Sequence, residues 1–244
     1  MAEHSHPSAG AAPGVPLKRQ YVSFAFYKIS EDFHKLPAAE REAAKKSFLE
    51  AAESFRKDGI LLSYSTKGFR SDVDLMLWRI SYDLDAIQKN SSALAKSALG
   101  PYLKTPASYL AMTKRSTYID KHQHVGGTEE SRTNILPGKF KYIFIYPFVK
   151  SREWYLLSKE ARQKVMDEHI RVGNMYPSVK LNTTYSFGLD DQEFVVAFET
   201  DIPGDFLDLV MALRETEGSK YTIRDTPIYT CRLWELKEAL DLVG

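Results

Sequence analysis

Eight segments of this chain, rich in Val, Ile, Tyr and Phe, fit a period of two: residues 20–28, 60–66, 72–81, 108–118, 141–149, 179–186, 193–199 and 227–236. Side chains on a β-strand point alternately to its two faces. A period of two in segments rich in Val, Ile, Tyr and Phe therefore predicts eight strands. The period changes to that of an amphipathic helix at residues 37–57, 84–99, 158–175 and 205–216. The elements run β-α-β-β-α-β and then repeat that order. Each half is predicted to be a ferredoxin-like α+β unit, with two helices packed on one face of an antiparallel sheet.

A faint echo between the halves supports duplication. Tyr64-Ser-Thr-Lys-Gly-Phe-Arg-Ser-Asp-Val-Asp-Leu-Met-Leu-Trp78 and Tyr185-Ser-Phe-Gly-Leu-Asp-Asp-Gln-Glu-Phe-Val-Val-Ala-Phe198 each join a strand, a Gly-containing polar turn and a second alternating strand. The expected organisation is a disordered tail over 1–17, one ferredoxin-like domain over 18–119, a linker loop over 120–139 and a second domain over 140–244. Two such sheets can join edge to edge into a β-barrel with external helices, a dimeric α+β barrel, hiding their unpaired backbone groups. One sheet face is then expected to line an interior able to enclose a planar ligand.

The bulk numbers narrow the function classes. Thirty-three basic and 32 acidic side chains give a formal charge of +1, which argues against nucleic acid as the main partner. Cys231 is the only cysteine, so no intrachain disulfide forms, and a cytoplasmic setting is expected. The longest strongly apolar run, residues 142–148, is far too short to span a bilayer. The first 16 residues lack the basic-then-apolar order of a secretory signal, and His4 and His6 read as solvated.

The candidate chemistry centres on His169. Ser158 is placed to cap the helix over 158–175, with Glu160 favourable in its first turn. Val165, His169, Val172 and Tyr176 follow one face, so the imidazole shares the apolar stripe. On this pattern alone a core histidine and a metal ligand both remain open. No HExxH, CxxCH or paired Cys/His spacing is present, which disfavours zinc and covalently attached haem.

Tyr146-Pro-Phe-Val-Lys150, Arg152-Glu-Trp154-Tyr155, Glu168-His169 and Gly188-Leu-Asp-Asp191, in this order, resemble the chlorite dismutase family of haem proteins. The likeness covers most of the C-terminal half and, in the N-terminal half, mainly the element order. It implies a twin ferredoxin-like subunit, a homopentamer, and one b-type or coproporphyrin haem per subunit with His169 as the iron ligand. Glu217 is implied as an acceptor for the other ring nitrogen of His169, since a carboxylate there raises ligand basicity.

Chlorite-degrading members carry an arginine seven residues before the Gly-Leu-Asp-Asp turn, where this chain has Leu181. An aliphatic side chain cannot stabilise an oxyanion. The resemblance therefore favours the coproheme decarboxylase branch, in which hydrogen peroxide drives the conversion of coproheme propionates to the vinyls of haem b. On that branch Tyr146 is the radical-forming tyrosine, while Lys150, Arg132, Arg214 and Ser219 orient propionates. Trp154 lies near the haem, and His122, preferred over His124, accepts a proton on the side opposite His169. The rival expectations are a chlorite dismutase, a haem peroxidase of unknown substrate, and a non-catalytic haem carrier or sensor. Trp78 and Trp234 read as core residues, Gly188 with its two aspartates as a strand turn, and residues 114–118 lack the charge excess of an RNA platform. No Ser-His-Asp or Cys-His arrangement can be assigned.

Overall fold

The computed structural model describes residues 18–116, 118, 134–138 and 140–244. The predicted tail and most of the predicted linker lie outside them. In the first half, β1 (Tyr21–Ile29) pairs antiparallel with β3 (Leu75–Ser81) and β4 (Leu103–Met112), and β3 also pairs with β2 (Ile60–Ser65). In the second, β5 (Tyr142–Lys150) lies between β7 (Phe194–Thr200) and β9 (Tyr229–Leu233), with β6 (Lys180–Tyr185) beyond β7. The strand orders, β4-β1-β3-β2 and β9-β5-β7-β6, are the same order repeated. Two seams join the halves, Tyr64 opposite Leu233 and Met112 opposite Tyr185, and return the eight strands on themselves as a ring. A three-residue strand, β8 (Thr222–Arg224), extends the far end of β5.

The helices lie outside the ring, as expected. They are α1 (Glu31–His34), α2 (Ala38–Glu53), α3 (Leu84–Lys96), α4 (Arg152–Leu156), α5 (Lys159–Gly173), α6 (Pro203–Arg214) and α7 (Leu236–Asp241). Of these, α1, α4 and α7, like β8, have no counterpart in the predicted elements. Strand boundaries also moved: the segment expected over 72–81 begins only at Leu75, and two others shifted further. The segment expected over 108–118 forms β4 five residues earlier, because Lys104 and Leu103 find backbone partners in Lys28 and Ile29 although polar residues interrupt the alternation there. The segment expected over 227–236 stops at Leu233, and Leu236, Ala239 and Leu240 turn to helical spacing in α7.

Alternation along the strands divides the apolar side chains into three clusters. Inward-facing Val22, Phe24, Phe26, Tyr64, Trp78, Tyr109, Ile143, Ile145 and Cys231 fill the ring. Phe24 stacks on Trp78 at 5.4 Å between centroids and Phe26 on Tyr229 at 4.0 Å. The expectation of a ligand-enclosing interior is thus overturned: inward positions carry large rings packed to van der Waals contact, which leaves no space for a planar guest. On the first half's outer face, α2, α3 and α7 bury Phe48, Phe55, Leu75, Leu77 and Leu240. On the second half's outer face, Phe144, Tyr146, Val196 and Phe198 meet Phe206 and Leu209 of α6.

The echoed turns match in backbone. Gly68 and Gly188 adopt φ of 82° and 72°, a left-handed conformation that a Cβ would strain. Asp190 then pins the second turn to β4 across the adjoining seam, its carboxylate accepting from Leu110 N at 2.8 Å and, within the turn, from Gln192 Nε2 at 2.9 Å.

Candidate functional site

The chemistry-bearing residues gather on the outer face of the second sheet. There α5 starts as predicted, with the Ser158 hydroxyl accepting from Ala161 N at 3.2 Å. Val165 and Val172 are buried, and His169 lies half-buried on the same stripe. α5 packs against α6 and the 3-10 turn Glu217–Tyr221. A side-chain carbon built on Gly218 would stand 4.0 Å from His169 Nδ1 and 3.5 Å from Val165 Cγ1, so the imidazole borders that turn. No described residue hydrogen-bonds to its ring. Burial first, and the Lys150 ammonium second, push the His169 pKa down to about 4 against a weaker pull from Glu168. The ring is therefore neutral at pH 7, with a lone pair free to bind a metal.

Lys150 closes the outward row of β5. Its Nζ donates to the Gly218 carbonyl at 2.7 Å and lies 5.0 Å from the Trp154 ring centroid and 5.2 Å from that of Phe148. Burial lowers its pKa to about 8. Trp154 is buried beneath it, between Tyr221 and Tyr118. The Lys150 backbone donates to Glu193, which also accepts from the Tyr155 hydroxyl. Lys150 is thus seated with His169 and Gly218.

Tyr146 stands four residues earlier on β5, roughly 13 Å along the strand. It is buried, lies parallel to Phe198 at 6.0 Å, and packs in the cluster with Phe144, Val196 and Leu209. Burial raises its pKa, Asp225 adds to the rise and Arg214 opposes it. Arg214, the last residue of α6, forms an ion pair with Asp225. Leu181 pairs with Phe198 across β6 and β7, so it shares this face, and at 48% exposure it offers an open aliphatic surface. The Ser219 hydroxyl donates to the Thr216 carbonyl at 2.9 Å.

Glu217 does not take the place expected of it. Its carboxylate is exposed and accepts from Lys220 at 2.6 Å, while its backbone donates to Glu168. Gly218 rather than Glu217 borders the imidazole, because the turn directs the preceding side chain to solvent. Asp225 was missed: it lies between two short strands, where alternation gives no signal. His122, His124 and Arg132 lie outside the described residues. The nearer end of their loop, Tyr118, packs on Trp154 at 6.3 Å.

The chlorite dismutase family profile matches residues 16–234. The chain belongs to the chlorite dismutase family. Its members include haem enzymes of two named activities. A coproheme decarboxylase from Mycolicibacterium smegmatis (strain ATCC 700084 / mc(2)155) is 33% identical over 170 residues, 68% of this chain and 70% of that protein. A chlorite dismutase from Ideonella dechloratans is 29% identical over 219 residues, 88% of this chain and 74% of that protein. Among solved structures, a mutant chlorite dismutase from Candidatus Nitrospira defluvii superposes with a TM-score of 0.82 at 28% identity, over 92% of this chain and 95% of that one.

The residues of this chlorite dismutase family member fit a haem. One neutral imidazole with no hydrogen-bond partner among the described residues borders the site, and a single protein ligand suffices only where a macrocycle supplies the others. Among the described residues no cluster of three or more His, Cys, Asp or Glu could hold a bare ion. The sheet face is aromatic and aliphatic, and Arg214 places a cation beside Tyr146. No helix among the described residues is long and apolar enough to cross a membrane.

Proposed function

We propose that this chain decarboxylates coproheme, converting two propionates to vinyls with hydrogen peroxide and yielding haem b. The observation that carries the reading is Tyr146 and Leu181 on one sheet face. An oxidisable phenol is buried there, and an open aliphatic side chain stands where the chlorite-degrading members carry arginine. The 33% identity to a coproheme decarboxylase supports the same branch.

Each round consumes one propionate carboxylate, one peroxide and one proton, and yields one vinyl, one carbon dioxide and two waters. Haem iron supplies the route by which peroxide takes up the electrons. His169 holds that iron by a ring nitrogen, which its low pKa keeps unprotonated. Tyr146 gives up an electron and its phenolic proton, then takes a hydrogen atom from the propionate carbon attached to the macrocycle. Loss of a second electron and of carbon dioxide leaves the vinyl. Arg214 offsets the carboxylate charge, with Ser219 and Trp154 bordering the site. Lys150 acts beside His169, where its charge disfavours a protonated imidazole. His122 as proton acceptor and Arg132 as carboxylate ligand complete the proposal, together with assembly as a homopentamer.

Mass analysis after peroxide is added to the ferric coproheme complex tests the reading. Three-propionate and then two-propionate porphyrins are expected. Tyr146→Phe should bind coproheme and release no first carbon dioxide, and normal turnover by that variant rejects the tyrosine's role. Dioxygen release from chlorite, with the porphyrin unchanged by peroxide, moves the assignment to the activity named for the Ideonella relative.

A further inference from the structure

The Arg214 guanidinium is already engaged by an anion. The pair is built from two elements that converge on Tyr146. Leu213, just before Arg214, and Ile228, three residues after Asp225, both pack on the cluster that contains the tyrosine. Register brackets the second segment: Ile145 faces Tyr229 and Val149 faces Arg224, so residues 225–228 run past Tyr146 and Phe148. The Asp225 side chain is 19% exposed and that of Arg214 53%, so the acid is the more firmly seated partner.

A propionate that reaches Tyr146 meets this cation with a carboxylate already on it. It must displace Asp225 or share the guanidinium with it, and both routes cost binding free energy, the first through a lost ion pair and the second through like-charge repulsion. A vinyl at the same place carries no charge and meets neither cost.

We propose that Asp225 sets the selectivity of this site between substrate and product: by occupying Arg214 beside Tyr146, it weakens the hold on a carboxylate-bearing porphyrin edge and leaves a vinyl-bearing edge unaffected. Asp225 acts through Arg214 and is a positioning residue. The inference rests on the proposed function, in which the reacting propionates lie next to Tyr146. Its consequence is a substrate held loosely enough to turn over, with no compensating grip on the product.

The test is equilibrium absorbance titration of ferric coproheme and of haem b into the full chain, without peroxide, for wild type, Asp225→Asn and Asp225→Ser. Both variants are checked by circular dichroism, and Ser is included should Asn fail to fold. Coproheme Kd is expected to fall by roughly threefold, the scale of a half-exposed ion pair, while haem b Kd stays unchanged. The gain should shrink as salt screens the charges. An unchanged ratio of the two constants, or weaker coproheme binding in either variant, overturns the role of Asp225 and leaves the proposed function standing. Wild type that binds neither porphyrin, or a ferric coproheme spectrum left unchanged by His169→Ala, removes the proposed function and this inference with it.

Discussion

Lys150→Met removes the cation that acts on His169, and the structure sets the size of the effect. The Gly218 carbonyl holds the ammonium at 2.7 Å, and a carbon built on Gly218 would lie 4.0 Å from the imidazole, which caps the charge separation at roughly 10 Å. At about 9 Å, two unit charges repel by roughly 0.5 kcal/mol in a water-like dielectric and roughly 1.8 kcal/mol at an effective value near 20. Removing the lysine should therefore raise the His169 midpoint by about 0.3 to 1.4, at roughly 1.4 kcal/mol per tenfold. It should not return to the ordinary 6.5, because burial is the larger cause. Proton NMR titration of the metal-free chain reads this directly, with the His169 signal assigned by its loss in His169→Gln. Lys150 is fully charged in that pH range, its own midpoint being about 8. A midpoint that stays put or falls refutes the electrostatic link, and a rise to 6.5 refutes the primacy of burial.

Stability at pH 7 should change little in that variant. A buried ammonium with its pKa lowered to about 8 costs about 3 kcal/mol relative to the unfolded chain, and the lost bond to Gly218 costs roughly 1–3 kcal/mol in the opposite sense. Between pH 8 and 10.5 the unfolded state binds more protons at Lys150, so wild type should gain stability across that window and Lys150→Met should lose the gain in urea titrations. His169 sets a second window. Its folded pKa near 4 lies below the ordinary 6.5, so as pH falls from 6.5 to 4 the unfolded state alone takes up the proton. Up to about 3 kcal/mol is lost there, and His169→Gln should flatten that part of the profile. Asp190→Ala leaves the amide of Leu110 without its acceptor and should cost roughly 1–3 kcal/mol by chemical denaturation; a neutral result would show that water replaces the carboxylate.

Period-two and helical spacing carried most of the fold, because strand-forming residues concentrate in segments buried on both faces, while the helices bury only a stripe. The pair of polar turns at Gly68 and Gly188 was legible for a stricter reason: both need a left-handed backbone. What alternation could not say is which face of β5 turns to the helices. Ile143 and Ile145 look no different in sequence from Phe144 and Tyr146, yet the first pair is sealed inside the ring and the second meets the helices. The candidate site followed the same rule. His169, Tyr146, Lys150 and Leu181 sit on regular elements; spacing put His169 on its apolar stripe, and the family resemblance singled out the other three. Glu217 and Asp225 sit in a tight turn and a short link, where side-chain direction depends on tertiary contacts.

The seventh helix makes the two halves unequal. Duplication produced two outward sheet faces of common design, each open to being roofed by two helices. Leu236, Ala239, Leu240 and Val243 add a third cover to the first of them, packed among the side chains of α2 and β2. The chain's own tail thus serves one half alone, and a doubled architecture closes its two outward faces with unequal cover.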